Sequence, residues 1–172
     1  MGAQHAEGVL VTGVYGVGKS SVAAEVATLL EARDIRYALL DLDYFGWASP
    51  RDGSRSGELQ LMLQNLVAVT ANYLQAGIER FVLAYFVRDP GELQALRNAV
   101  PFPLRIARLD VPLHQIRQRL AGDVTSGRKD DLREAEASIA VGHGLGLEDI
   151  ALGNERPVQL VARDLMSFLG WL

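Results

Sequence analysis

The chain has 172 residues, 49% of them hydrophobic and 22% charged, and it contains no cysteine. That composition describes one ordinary folded domain, residues 1–172. It excludes a disulfide scaffold, zinc–thiolate or iron–sulfur chemistry and a cysteine nucleophile. The formal net charge of −4 argues against sequence-independent nucleic-acid binding, which draws on a basic excess.

Read in chain order, strands and helices alternate throughout. Residues 8–13 (GVLVTG) form a short β-rich run. Residues 19–32 follow with Val22, Val26, Leu29 and Leu30 at helical spacing. Residues 36–41 read as a second strand and 48–56 (ASPRDGSRS) as loop. A helix over 59–75 carries Leu59, Met62, Leu63, Leu66, Tyr73 and Leu74 on one stripe, with Gly77 as its stop. Residues 80–87 are too continuously apolar for a half-solvated strand and fit a sheet covered on both faces. A short helix over 91–100, a strand over 104–109 and a helix over 112–120 come next, with Asp110 as the expected N-cap. Residues 122–131 are polar, 132–141 helical, and the turn GHGLG leads to a strand over 149–152. Pro157 opens the last helix, striped by Val158, Val161, Leu165, Phe168 and Leu169. This alternation predicts right-handed βαβ crossovers, hence an α/β three-layer sandwich around a five-stranded parallel sheet. Ligands in such sheets bind at the carboxyl ends of the strands. No apolar run reaches the ~18–20 residues of a membrane span and no leader precedes the first strand, so a cytoplasmic protein is expected.

The strongest motif sits at the first strand–helix junction. Gly13-Val14-Tyr15-Gly16-Val17-Gly18-Lys19-Ser20 is a complete G-x-x-x-x-G-K-[ST] phosphate loop, with Ser21 following. Its glycines let successive N–H groups turn inward on a phosphate, and the helix that begins at Lys19 adds the positive end of its dipole. Lys19 is expected at the β- and γ-phosphates and the Ser20 hydroxyl on Mg²⁺. The loop predicts a bound nucleoside triphosphate and a sheet of order 2-3-1-4-5.

Asp41-Leu42-Asp43 ends the second strand near that loop. One carboxylate there suits Mg²⁺ held through water, and the other suits the proton of an acceptor hydroxyl; the alternative is that both merely cap the chain leaving the strand. There is no NKxD guanine signature, and no four-apolar-then-acid segment closes the third strand, which runs into Arg88-Asp89.

GVYGVGKS, the DLD after the second strand, RLDVPLHQIRQRL and GLEDIALGNERPVQLVARDLMSFLGW together resemble the small P-loop kinases: the shikimate, gluconate, adenylylsulfate and nucleoside/nucleotide kinases. The likeness covers nearly the whole chain and is strongest to adenylylsulfate-kinase-like and shikimate-kinase-like ATP-binding proteins of high-GC bacteria. It implies the P-loop NTPase fold and Mg-dependent transfer of the γ-phosphoryl group of ATP to a small-molecule hydroxyl, by a monomer or homodimer. It also implies Ser20 and Asp41 at Mg²⁺, Asp43 at the acceptor hydroxyl and Arg88 as an acceptor-side cation. Arg119 would stand at the base of a short lid over 122–131, with Asn154 and Pro157 beside adenine. The structural alternatives are a solvated Arg88 at a strand end, a surface Arg119, and Pro157 as an ordinary helix-start residue. Trp47, with Tyr44 and Phe45, either lines the acceptor pocket or packs its loop on the sheet. Lids of this group often repeat arginine four residues on, whereas here that position is Asp123 and Arg128 is the remaining lid arginine. Two further readings therefore stand beside a small-molecule kinase: a nucleoside or nucleotide kinase, and a regulatory ATP-binding protein with weak transfer. His5, His114 and His143 lack metal-binding spacing, and His143 reads as a loop histidine.

Overall fold

The computed structural model describes residues 6–48, 54–121 and 126–172, the side chains of 126–129 excepted. His5, Arg51 and Asp123 fall outside the described residues, as does the side chain of Arg128. Five strands, β1 (Glu7–Thr12), β2 (Tyr37–Asp41), β3 (Arg80–Ala84), β4 (Leu104–Asp110) and β5 (Ile150–Gly153), form one sheet in the order β2-β3-β1-β4-β5. All four pairings are parallel. Six helices surround it: α1 (Lys19–Glu31), α2 (Arg55–Gln75), α3 (Pro90–Ala99), α4 (Leu113–Ala121), α5 (Ser126–Val141) and α6 (Val158–Leu169).

Strand side chains alternate between faces, and this alternation divides the core in two. Val9, Val11, Val82, Ala84, Ala107 and Leu109 face one way, onto Val22, Val26 and Leu30 of α1 and Val161, Leu165 and Leu169 of α6. Leu10, Phe81, Leu83, Leu104 and Ile106 face the other way, onto Met62 and Leu66 of α2 and Leu93 and Leu96 of α3. Because the central strands are buried on both sides, they read as unbroken apolar runs. The result is the three-layer α/β sandwich and strand order expected from the sequence.

Four boundaries differ from expectation, each for a local reason. β3 ends at Ala84, three residues early, because β1 ends beside it. The amides that follow turn over its end: Tyr85 N–H donates to Val11 O (3.2 Å) and Val87 N–H to the buried Thr12 hydroxyl (3.0 Å). α2 begins at Arg55 rather than 59, because Ser54 Oγ accepts from Gly57 N–H (3.0 Å) and starts the helix through a polar turn with no apolar stripe. Asp110 is not an N-cap; it is the last residue of β4, its carboxylate is paired with Arg108, and α4 is instead seeded by bonds to Pro112 O. Of the expected lid, 122–125 lie outside the described residues, while 126–131 are the first turns of α5 rather than loop.

Candidate active site

The carboxyl ends of β1, β2 and β3 open into a cleft of about 980 Å³ lined by the phosphate loop, the segment after β2, the first turns of α2, and parts of α4 and α5. Gly16, Gly18, Lys19, Ser20, Ser21 and Tyr15 line its phosphate-loop end. Gly18 precedes α1 with φ +95°, and no side chain caps the helix, so the first N–H groups of α1 face the cleft. A Cβ at Gly18 would lie 2.5 Å from Asn154 Nδ2, so both conformation and space demand glycine there.

Lys19 is only 7% exposed. Its Nζ donates to Gly13 O (2.9 Å) and Val14 O (3.3 Å) and sits 5.0 Å from the centre of the Tyr15 ring. Burial lowers its pKa to about 8, against the raising influence of Asp43 and Asp41. The ammonium is thus held folded under the loop, desolvated and, among the described residues, without a carboxylate ion pair. Ser20 Oγ donates to Asp41 Oδ2 at 2.8 Å. This pair of oxygen donors fits a hard cation such as Mg²⁺, which keeps several waters and shares phosphate oxygens. Among the described residues no cluster of three or more His, Asp or Glu forms a metal cage.

Asp43, two residues on, lies on a single 3-10 turn (Leu42–Tyr44) whose start is fixed by Asp43 N–H donating to Asp41 Oδ1 (3.3 Å). Burial raises the Asp43 carboxyl above the usual range, opposed by Lys19 and reinforced by Asp41. Asp41 and Asp43 thus differ in surroundings: both line the cleft, but Asp41 receives the Ser20 hydroxyl while Asp43 is half-buried.

Arg119 and Asn154 occupy the outer side of the loop. Arg119 Nη1 donates to Val17 O (3.1 Å) and Gly16 O (3.3 Å), and its Nη2 donates to Asn154 O (2.8 Å). The buried Asn154 donates from Nδ2 to Val17 O (2.7 Å). Together they tie α4 and the segment after β5 to the loop. Pro157 is exposed at the N-cap of α6 and does not line the cleft. Gly13 and Val17 back the loop from the opposite side.

At the other end of the cleft, Trp47 stands 79% exposed and stacks on Tyr44 (centroids 5.7 Å, interplanar 29°) rather than packing on the sheet. Arg88 is largely covered, with its guanidinium 4.7 Å from the Phe86 ring and paired with Glu134 of α5. Arg55 donates to Glu92 (2.8 Å) and lies 3.9 Å from Glu134. Tyr85, beside them, has its pKa pushed up to about 12 by burial and by Glu92. Sequence reading had no means of finding Glu92, Glu134 or Tyr85. Glu92 reads as an ordinary first-turn glutamate after the Asp89 cap, and Glu134 reaches the site only through tertiary structure.

His143 lies outside the cleft and lines a separate cavity of about 190 Å³ behind the loop, among Val14, Val17, Phe86 and Ile139. Its turn is anchored where Gly144 N–H donates to Arg88 O (2.9 Å); a Cβ there would meet Val87 O at 2.7 Å. His114 is exposed on α4, and Trp171 is buried in the core.

No protein-family model and no curated protein sequence matches the chain; its likeness is to solved structures. A sugar kinase from Janibacter sp. superposes with a TM-score of 0.70 at 19% identity, covering 96% of this chain and 95% of that one. The APS kinase of Mycobacterium tuberculosis, solved with AMPPNP and APS, gives 0.67 at 20% identity over 98% and 99%. A tunicamycin resistance protein from Deinococcus radiodurans gives 0.63 at 17% identity over 98% of each chain. These likenesses establish the fold, that of the P-loop kinases of small molecules. Among the described residues no helix is long and apolar enough to cross a membrane.

Proposed function

We propose that the chain is an ATP-dependent phosphotransferase that moves the γ-phosphoryl group of Mg-ATP to a hydroxyl of a small molecule. The observation that carries this reading is the shared cleft: the phosphate loop with Lys19, the Ser20–Asp41 pair and the half-buried Asp43 all open into one space. The likeness to a sugar kinase and an APS kinase supports it. In this reading the loop amides and Lys19 take the β- and γ-phosphates, while Ser20 and Asp41 would hold Mg²⁺, which when bound would supply positive charge to the transferring group. The acceptor oxygen bonds to the γ-phosphorus as the bond to the β–γ bridging oxygen breaks. The hydroxyl proton passes to an oxygen of Asp43, and ADP leaves. A carboxyl with a raised pKa suits that proton better than an ordinary aspartate would. Trp47 and Arg88 line the acceptor end, Asn154 braces the phosphate loop through Val17 O, and Pro157, outside the cleft, takes no part. A cytoplasmic monomer or homodimer accords with such an enzyme.

A second reading rests on Arg119. Its guanidinium is committed to loop carbonyls, which favours a positioning role and leaves no described arginine reaching across the phosphates. On that basis the chain would bind nucleotide with weak transfer. Mass-spectrometric detection of a product 80 Da heavier than its acceptor, from purified protein with Mg-ATP and a panel of sugars, hydroxy acids, nucleosides and antibiotics, tests both. A phosphorylated product supports the phosphotransferase. Tight Mg-ATP binding without product across the panel supports the regulatory reading.

A further inference from the structure

Resting on the phosphotransferase reading, we infer that the acceptor is a hydroxylated molecule that carries no negative charge and presents a flat or apolar face. The charge arrangement at the acceptor end carries this. Among the described residues, two arginines line that half of the cleft, Arg55 and Arg88. Both are already answered by carboxylates. Arg55 is bonded to Glu92 and near Glu134, and Arg88 is paired with Glu134. Glu92 is the hub: its side chain is 8% exposed, and besides Arg55 it accepts from Arg88 N–H (2.9 Å). An anionic acceptor that claimed either arginine would strip a carboxylate of its partner, and in the case of Glu92 it would strand a buried charge, the costlier event.

The remaining groups point the same way. Asp43 and Glu58 add carboxylates to the same walls, and the cations that act on Asp43 are Lys19, held under the loop carbonyls, and Arg88, already paired with Glu134. Hydroxyl and ammonium groups donate to such carboxylates; carboxylate, sulfate and phosphate groups are repelled. Above them, the Tyr44–Trp47 pair offers exposed aromatic faces, 66% and 79% open, to a sugar-like C–H face, a planar ring or a cation. Arginines locked in a carboxylate network shape the floor of the pocket and do not serve as an anion clamp.

The test uses acceptors matched in shape and differing in charge: glucitol against gluconate, glucose and glucosamine against glucuronate, and nucleosides against their monophosphates. Transfer from Mg-ATP is measured for each, and in parallel the quenching of Trp47 fluorescence is followed with Mg-AMPPNP bound, with Trp47→Phe as the blank. The uncharged or amine-bearing member of a pair should win by at least about tenfold in kcat/KM or in affinity, a preference worth about 1.4 kcal/mol. Glu134→Gln, which loosens Arg88, should shrink that preference about threefold or more, in line with one exposed-side ion pair. Equal or better use of the anionic members overturns the inference, as does a Glu134→Gln variant with an unchanged preference. Failure to quench or react with any uncharged member overturns it too. If quenching follows the expected order but no member is phosphorylated, the phosphotransferase reading fails while the acceptor class stands.

Discussion

At one end of the cleft, eight consecutive residues, Gly13 to Ser20, supply the phosphate loop, the lysine and the Ser20 hydroxyl, and the backbone itself holds them in place. At the opposite end, the charges come from α2, α3, α5 and the exit of β3, and they are held by one another. The first arrangement is a fixed cradle whose key cation is desolvated and, among the described residues, without an ion pair. The second is a self-neutralised network that sets shape and charge together. A cradle built on backbone suits a ligand common to many enzymes, whereas a network of side chains from separate helices is where specificity is altered without disturbing the fold.

The comparison breaks most sharply at Lys19. Lys19→Met should abolish most of the Mg-ATP-induced rise in melting temperature and reduce transfer on the order of 10³-fold, as loss of a main electrostatic contact to developing charge does. The same variant should melt higher than the native chain without nucleotide, because it removes an ammonium whose burial the two carbonyl bonds to Gly13 and Val14 offset only in part. A lower melting point for the unliganded variant would mean that the lysine stabilises the resting loop. Asp43→Asn should come next, lowering turnover about 10²-fold with ATP affinity nearly intact, if it takes the acceptor proton. Weakened ATP binding with unchanged turnover would move Asp43 to the nucleotide end.

The same contrast explains what was legible in the sequence. Lys19, Ser20 and the glycines are local, so their spacing revealed them, and the strand order followed from alternation and apolar runs. The placement of Asp41 and Asp43 at a strand end beside the loop was legible, and the structure adds that Asp41 also caps the turn that carries Asp43. Glu92 and Glu134 were not, since Arg88 and Glu134 lie 46 residues apart and only the packing of α5 over the exit of β3 joins them. Asp110 was misread for a related reason. A helix cap and a strand-end ion pair demand the same side chain, and only the position of Arg108, on the same strand, decided between them. The first turn of α2 was missed because its polar residues face the cleft and the salt-bridge network, leaving no apolar period to read.

Asp41→Asn sharpens the division of labour between the paired acids. Asp41 reaches the metal side through the Ser20 hydroxyl (2.8 Å). Weakening that acceptor should raise the Mg²⁺ concentration needed for half-maximal activity by about tenfold, toward the low end for a supporting metal partner. Saturating Mg²⁺ should restore most of the rate. A loss that Mg²⁺ does not restore would show that Asp41, rather than Asp43, handles the acceptor.

The smallest effect expected is one of pH, and it follows from how the cradle stores its lysine. Without nucleotide, Lys19 has its pKa lowered from 10.5 to about 8, chiefly by burial. Between those values the unfolded chain holds more protons than the folded one, so in that window the unliganded protein gains stability as pH rises. Bound triphosphate reverses the balance, because its negative charge keeps the ammonium protonated well above pH 8. Nucleotide must therefore recover a proton that the free site has begun to lose. The ATP dissociation constant should be nearly flat near pH 7, about twofold weaker at pH 8 and about tenfold weaker at pH 9. Calorimetric titration in buffers of different ionisation enthalpy checks both the slope and the uptake of a proton. In Lys19→Met the residual affinity should show no such slope. A native profile flat through pH 9 would mean that the free lysine stays charged, so that the two ends of the cleft differ less in their electrostatics than the burial of Lys19 implies.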